Sequence, residues 1–373
     1  MANGDGDNLL ADEPPGNRAA TDGRGKIASL RDLARRSWPY LKALLGLAIV
    51  AIIGFHFTRD LMDRRLWERP LRPGWVVLSA LLYLGGLFFS ALTWRRLLTH
   101  AGEPPRLFTA VRAYYLGHLG KYLPGKAWAL FLRADLVRGD GVRLGVGVVT
   151  AFYEVLVTMS GAVLVSAVLF AIFAPDTGFR PRGEVLRGLL RLDVPEEGDL
   201  GRTTCVLLSL GLLAAVGLPA LPPVFNRLAR RMALPFGAGG DFPRMRWGYL
   251  GEGLCLTGTG WLLQGASLGA ALCAVVGTDL SWTFPAAARV AAIMGVSYVA
   301  GFVILFAPSG LGVREYFLTL LLTPELRELG LPGDEARGLA IMTVLLLRVA
   351  WTAAEMVMAT VVWRLNRTQQ SST

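Results

Sequence analysis

Residues 145–174 read Gly145-Val-Gly-Val-Val-Thr-Ala-Phe-Tyr-Glu-Val-Leu-Val-Thr-Met-Ser-Gly-Ala-Val-Leu-Val-Ser-Ala-Val-Leu-Phe-Ala-Ile-Phe-Ala174, a stretch with one charged side chain, Glu154. A helix needs roughly 20 mostly apolar residues to cross the hydrocarbon of a bilayer, and this stretch exceeds that without interruption. Similar runs lie near 40–58, 75–94, 203–221, 248–276, 285–307 and 335–363. The chain therefore reads as an all-α, polytopic membrane helix bundle.

Composition points the same way. Of 373 residues, 53% are hydrophobic and 18% charged, and the mean hydropathy is +0.46. A soluble chain of this length, at about 150 residues per domain, would be less apolar. Lysines and arginines outnumber acids 38 to 28, leaving +10. They lie between the apolar runs rather than in one block, a pattern of membrane-face loops and not of a nucleic-acid surface. Cys205, Cys255 and Cys273 form no CxxC pair, and His56, His100 and His118 are scattered. Neither a disulfide framework nor a metal site is expected, and no cofactor motif stands out.

Residues 1–37 are rich in Gly, Asp, Asn and Pro and have no apolar core of a signal peptide. They read as a disordered cytoplasmic tail, residues 38–365 as the transmembrane domain, and 366–373 as a short polar tail. Orientation follows from basic residues near span ends, which cytoplasmic loops retain. Arg24, Lys26, Arg31, Arg35, Arg36 and Lys42 place the N-terminus inside, and the basic segment from Arg95 to Arg143 returns there after two crossings. The loop from Asp176 to Arg202 carries six acids against five arginines and suits the outside. The segment 59–72 conflicts, being basic where an outer loop is expected.

Two further apolar stretches, 107–134 and 308–324, are broken by Pro124-Gly125 and by Pro308-Ser309-Gly310. Arg364 and Arg367 follow the last span, and the acidic stretch Glu325 to Glu335 precedes it. Letting 311–324 cross places those acids outside and both termini inside. The expectation is about eight crossings in the cytoplasmic membrane, with 107–134 dipping in as a re-entrant pair of half-helices.

Dividing the apolar chain near residue 190 puts one broken segment in each half, which suggests a two-half pseudo-symmetry and is the best sequence pointer to a transporter site. Breaks at the hinge residues Pro124, Gly125, Pro308, Gly310 and Gly312 free backbone N–H groups that lipid cannot satisfy. A helix restarting beyond them turns its positive end to an anion. Lys126 and Arg133, seven residues apart, share a helical face, and Lys121 and Arg314 add positive charge, so these four are the candidate head-group residues. The blander reading has Lys126 and Arg133 snorkelling to lipid phosphates at a helix end. Arg138, about 120° round the helix from Lys126, is left to the loop.

A charge at the bilayer centre costs at least roughly 2.5–3.5 kcal/mol, so charges deep in the spans need a reason. Glu154 shares a small, polar face with Gly147, Thr150, Ala151, Thr158 and Gly161, and Arg348, Thr352 and Glu355 share another. Glu315 lies beside Arg314. Glu154 with Arg348 is the buried pair this suggests, serving as polar support of a site or as a plain helix clamp. Glu252 and Arg289, near span ends, read as interfacial. Trp67, Trp75, Trp94, Trp282 and Trp363 read as aromatic-belt anchors. Tyr114, Tyr115, Tyr122 and Trp128 either flank a head group or pack helices.

The run Gly120-Lys121-Tyr122-Leu123-Pro124-Gly125-Lys126 with Arg133-Ala134, then Tyr153-Glu154, then Pro308-Ser309-Gly310-Leu311-Gly312-Val313-Arg314-Glu315, resembles the lysylphosphatidylglycerol synthase transmembrane region, a flippase-like family. The resemblance covers about 40 to 363. It implies an integral inner-membrane protein that moves or presents lipids, here a stand-alone member without the soluble aminoacyl transferase of multidomain relatives. Lys126-Ala127-Trp128 and Ser309 depart from the family pattern. Relatives associated with isoprenoid or hopanoid lipids and lipid-linked sugars extend the guest to polyprenyl-phosphate-type anions.

The leading expectation is translocation of an anionic phospholipid or isoprenoid-phosphate-linked lipid, without enzymatic chemistry. The alternatives are a membrane-embedded enzyme using Glu154, Glu315 and His118, and an accessory subunit that docks a soluble or membrane synthase in lipid-linked glycan, hopanoid or aminoacyl-lipid biosynthesis. Walker and metal-spacing motifs do not occur, and a lone Glu and His are a weak catalytic set, which weakens the enzyme reading.

Overall fold

The computed structural model describes residues 70–122, 128–174, 201–233, 244–277, 282–303 and 312–371. Every regular element among them is helical: α1 (Pro73–His100), α2 (Leu107–His118), α3 (Trp128–Leu136), α4 (Leu144–Phe173), α5 (Gly201–Ala220), α6 (Pro222–Ala233), α7 (Trp247–Val276), α8 (Phe284–Val303), α9 (Val313–Glu328) and α10 (Gly333–Ser371), with 3-10 turns at Leu119–Tyr122 and Arg138–Asp140. The protein is an all-α, multi-pass membrane bundle. Five helices are long and apolar enough to cross: α1, α4, α7, α8 and Glu335–Leu365 of α10. The run at 40–58, the N-terminal tail, the acidic loop and Trp67 lie outside the described residues.

The span expected over 203–221 continues past a bend. Cys205–Ala220 and Pro222–Arg231 meet at 56° and form a sixth candidate span if counted together. Pro219 inside α5 and Pro222-Pro223 at its end remove three backbone donors, which is what bends a helix. Asn226 fixes the bend by donating to the Met245 carbonyl at 3.0 Å and accepting from the Met245 N–H at 2.9 Å. Phe225 and Ala229 of α6 are buried, while Arg227, Arg230 and Arg231 face outward.

Small residues set how closely the spans approach, as membrane packing requires where hydrophobic drive is weak. Along α1 and α7, Ser79 meets Ser267, Gly86 meets Gly260 and Thr93 meets Gly253, stepping seven residues on both helices in opposite directions. The two serine hydroxyls are 2.9 Å apart, and each donates to the other's carbonyl at 2.8 Å. On α4, Gly147 lies against Ala134 of α3, Gly161 against Thr257 of α7, and Ser166 donates to the Ala292 carbonyl of α8 at 2.8 Å. The small and polar stripe around Glu154 is thus the face that meets α3 and α7, while Ser166, about 120° further round, meets α8.

Two antiparallel hairpins flank this core. α2 and its 3-10 turn pack on α3 through Gly117 and Gly120, the latter against the Ala129 backbone. α8 packs on α9 through Gly301 against Arg314 at one end and Arg289 with Glu325 at the other. α9 differs from the full crossing expected at 311–324. Its 16 residues rise about 24 Å at 1.5 Å each, less than the roughly 30 Å of hydrocarbon. It starts at Gly312, whose φ of 82° suits glycine and whose N–H donates to the Glu315 carboxylate at 2.8 Å.

Candidate functional site

Arg133 projects from α3 into the bundle, with 6% of its side chain exposed. One terminal nitrogen lies 2.8 Å from Glu154 Oε2 and the other donates to the Ala151 carbonyl at 3.0 Å. Its guanidinium sits between two rings, 5.3 Å from Trp94 and 4.9 Å from Tyr114, a cation–π arrangement that strengthens when water is excluded. Tyr114 and Thr158 hydroxyls donate to Glu154 Oε1 at 3.1 and 2.8 Å. Trp94 donates to Thr150 Oγ1 at 3.2 Å.

Arg314 repeats this plan from α9. Its guanidinium lies 5.3 Å from the Tyr298 ring and 5.4 Å from that of Trp351, and it donates to Glu315 Oε1 at 3.1 Å. Arg348 of α10 bonds the same oxygen. Glu315 therefore holds two arginines and caps its own helix.

The two cradles share a sequence pattern. Tyr114 is followed three residues later by Gly117 and seven after that by Pro124; Tyr298 is followed by Gly301 and Pro308 at the same intervals. In each hairpin the tyrosine stacks on the arginine, and the glycine makes room for that arginine's backbone. The pattern gives the two-half relationship residue-level content.

Glu355 of α10 is the third focus, with 2% of its side chain exposed. Lys121 Nζ lies 2.5 Å from Glu355 Oε1, Tyr83 donates to that oxygen, and Tyr122 donates to Oε2 at 2.8 Å. His118 Nε2 is 3.2 Å from Lys121 Nζ and 3.6 Å from Glu355 Oε1. The Thr352 hydroxyl, 3.2 Å from the Tyr122 oxygen, is placed to donate to it. Tyr83 stacks on Trp351, centroids 3.9 Å apart, linking this cluster to the Arg314 cradle.

The three clusters form one polar centre. Arg314 and Arg348 lie within electrostatic reach of Lys121, Arg133 within reach of His118, and Tyr298 feels Arg314, Glu355, Glu154 and Glu315 together. Four cations (Lys121, Arg133, Arg314, Arg348) stand against three carboxylates (Glu154, Glu315, Glu355). With His118 neutral, the described residues of the centre leave one positive charge inside an apolar bundle.

The profile of the family described as the lysylphosphatidylglycerol synthase TM region matches residues 43–348. The chain belongs to this family. No curated protein matches the sequence. In this member of the lysylphosphatidylglycerol synthase TM region family, six of the seven charged residues of the centre fall inside the matched segment, while Glu355 lies just beyond its end.

The structure pairs these charges differently from the sequence reading. Glu154 meets Arg133, and Arg348 meets Glu315, in place of a Glu154–Arg348 pair. A helical wheel assigns a face to each residue but not the neighbour opposite it. Trp94, read as a belt anchor, is fully buried against Arg133. Arg289, read as interfacial, is 13% exposed and bonds Glu325 through two nitrogens. Arg138 sits on an exposed turn beside Asp135. Lys126, Pro124, Gly125, Pro308 and Gly310 lie outside the described residues.

Proposed function

We propose that this chain translocates, or presents for translocation, an anionic lipid across the cytoplasmic membrane, with the head group received at the polar centre. The observation that carries the reading is the single surplus positive charge that the described residues of the centre leave among membrane-spanning helices. A surplus cation in such a setting favours a monoanionic phosphodiester, in a phospholipid or an isoprenoid-linked lipid, over a neutral or cationic head group.

The cations divide by exposure. Arg133 and Arg314, at 6% and 17%, are stacked between rings and hold the frame. Lys121 and Arg348, at 29% and 30%, are open enough to receive a guest. An apolar recess of about 410 Å³, lined by Leu116, Leu119, Gly120, Leu132 and Leu136, lies on the same hairpin as Lys121. It would take part of an acyl or isoprenyl chain while the head group occupies the centre.

The test is reconstitution in liposomes containing a fluorescent phosphatidylglycerol, with transbilayer movement followed by dithionite quenching. Protein-dependent movement that Lys121→Ala together with Arg348→Ala abolishes is the expected result. Movement no faster than in empty liposomes, or indifferent to both substitutions, would overturn the proposal.

A further inference from the structure

The carboxylates of the centre are not equally secured. Glu315 has two arginines and a backbone N–H. Glu154 has Arg133, itself locked by the Ala151 carbonyl and two rings. Glu355 has one close cation, Lys121, a point charge on a flexible stem and one of the two cations open to a guest. The groups facing Glu355 are Tyr83 from α1, His118 from α2, and Lys121 and Tyr122 from the 3-10 turn; Thr352, on the helix of Glu355, meets Tyr122. Tyr298 of α8 acts on it through space, as Arg314 of α9 does on the adjoining Tyr83.

An anionic head group seated on Lys121 would place a second negative charge beside a carboxylate that is 2% exposed. The Lys121 ammonium, turned to the head group, no longer neutralises Glu355, and a buried carboxylate that loses its close cation favours its protonated form even with Arg348 elsewhere in the centre. A phosphodiester is a very weak base, so the proton goes to Glu355. The surroundings accept the neutral acid. The single lone pair of His118 Nε2 faces the Lys121 ammonium at 3.2 Å; with Lys121 turned to the head group it is released 3.6 Å from Glu355 Oε1, and a shift of about half an ångström would let it accept a hydrogen bond from the acid.

We propose that Glu355 is a proton site coupled to the lipid: seating an anionic head group on Lys121 draws one proton from water onto Glu355, and lipid and proton travel together. The inference rests on the translocation reading and adds its ion coupling. One proton is gained for each negative charge bound. On release the anion leaves, Glu355 returns its proton to water, and the Lys121–Glu355 pair closes again. Binding should tighten as pH falls, by up to about tenfold per unit, while Glu355 is ionised in the empty protein and protonated in the loaded one.

The test uses the purified full chain in detergent, titrated calorimetrically with dioctanoyl phosphatidylglycerol in buffers of different ionisation enthalpy, which counts protons directly. The expected result is uptake of about one proton per lipid in the native protein. Glu355→Gln keeps the hydrogen-bonding shape but cannot titrate, and should bind with no uptake and no pH dependence. Native protein that binds the lipid without taking up a proton overturns the coupling and leaves translocation standing. Native protein that does not bind the lipid overturns both. Should Glu355→Gln not fold, the proton count of the native chain still decides.

Discussion

Gly117 and Arg133 face each other so closely that a β-carbon on the glycine would stand 2.5 Å from the β-carbon of the arginine. The arginine that anchors Glu154 can enter the bundle at that depth because its neighbour has no side chain. Gly117→Ala must push α2 from α3, an overpacking that costs about 1–3 kcal/mol. At Gly301 the corresponding distance to Arg314 is 3.0 Å, so Gly301→Ala should cost less. Thermal unfolding in detergent should rank the two in that order; equal shifts would contradict it.

Arg133 and Glu154 are a buried pair in which each needs the other. Arg133→Ala leaves the carboxylate without its close counter-charge and should cost about 3–5 kcal/mol. Arg133→Met with Glu154→Leu removes both charges and should recover most of that loss. Arg133→Lys keeps the charge but loses the guanidinium's cation–π contacts with Trp94 and Tyr114, and should fall between. A double-mutant cycle on apparent unfolding free energy measures the coupling, and additive single effects would show that the pair does not act as a unit.

The α8–α9 clamp offers a control. Arg289 bonds Glu325 at 2.6 and 2.8 Å and reaches Glu328 at 3.1 Å. It sits nine residues before Tyr298, about 13 Å along the helix axis. Arg289→Ala is expected to lower stability by about 3–5 kcal/mol while lipid movement per folded molecule stays at the native rate. A loss of movement in protein shown to be folded would extend the functional centre to this end of the bundle.

Filling the apolar recess tests the chain-binding part of the proposal. Leu132 is 37% exposed at its edge, so Leu132→Trp should be accepted without a stability loss above about 0.5 kcal/mol. Movement of a long-chain fluorescent lipid should slow relative to a short-chain analogue with the same head group. Equal slowing of both would place the chain elsewhere.

The membrane class was legible because an apolar run of 30 residues such as α4 has few alternatives. The two broken segments were legible because Pro and Gly in an apolar run must be accounted for by hydrogen bonding. Partners were not. Glu154 could be assigned a helical face, yet the choice between Arg133 and Arg348 depends on how α3 and α10 are set around α4, which hydropathy does not encode. Trp94 was misread because a tryptophan near a basic segment looks the same whether lipid or protein covers it. Tyr83, Tyr298 and Trp351 passed as ordinary apolar residues. One signal for Tyr298 was present, the Tyr–Gly–Pro spacing it shares with Tyr114, and it becomes noticeable once the two arginines are seen in equivalent cradles.

The one uncancelled charge of the centre also has an electrical meaning. A charge carried fully across a membrane exchanges about 2.3 kcal/mol with each 100 mV of potential. A lone monoanion would neutralise the centre on the loaded crossing and leave it positive on the empty return, so every cycle would work with or against the voltage. With a proton on Glu355 for each anion, the centre bears the same charge in both directions, and what the field does on one stroke it undoes on the other. Such a machine would be blind to membrane voltage and responsive only to the gradients of lipid and proton.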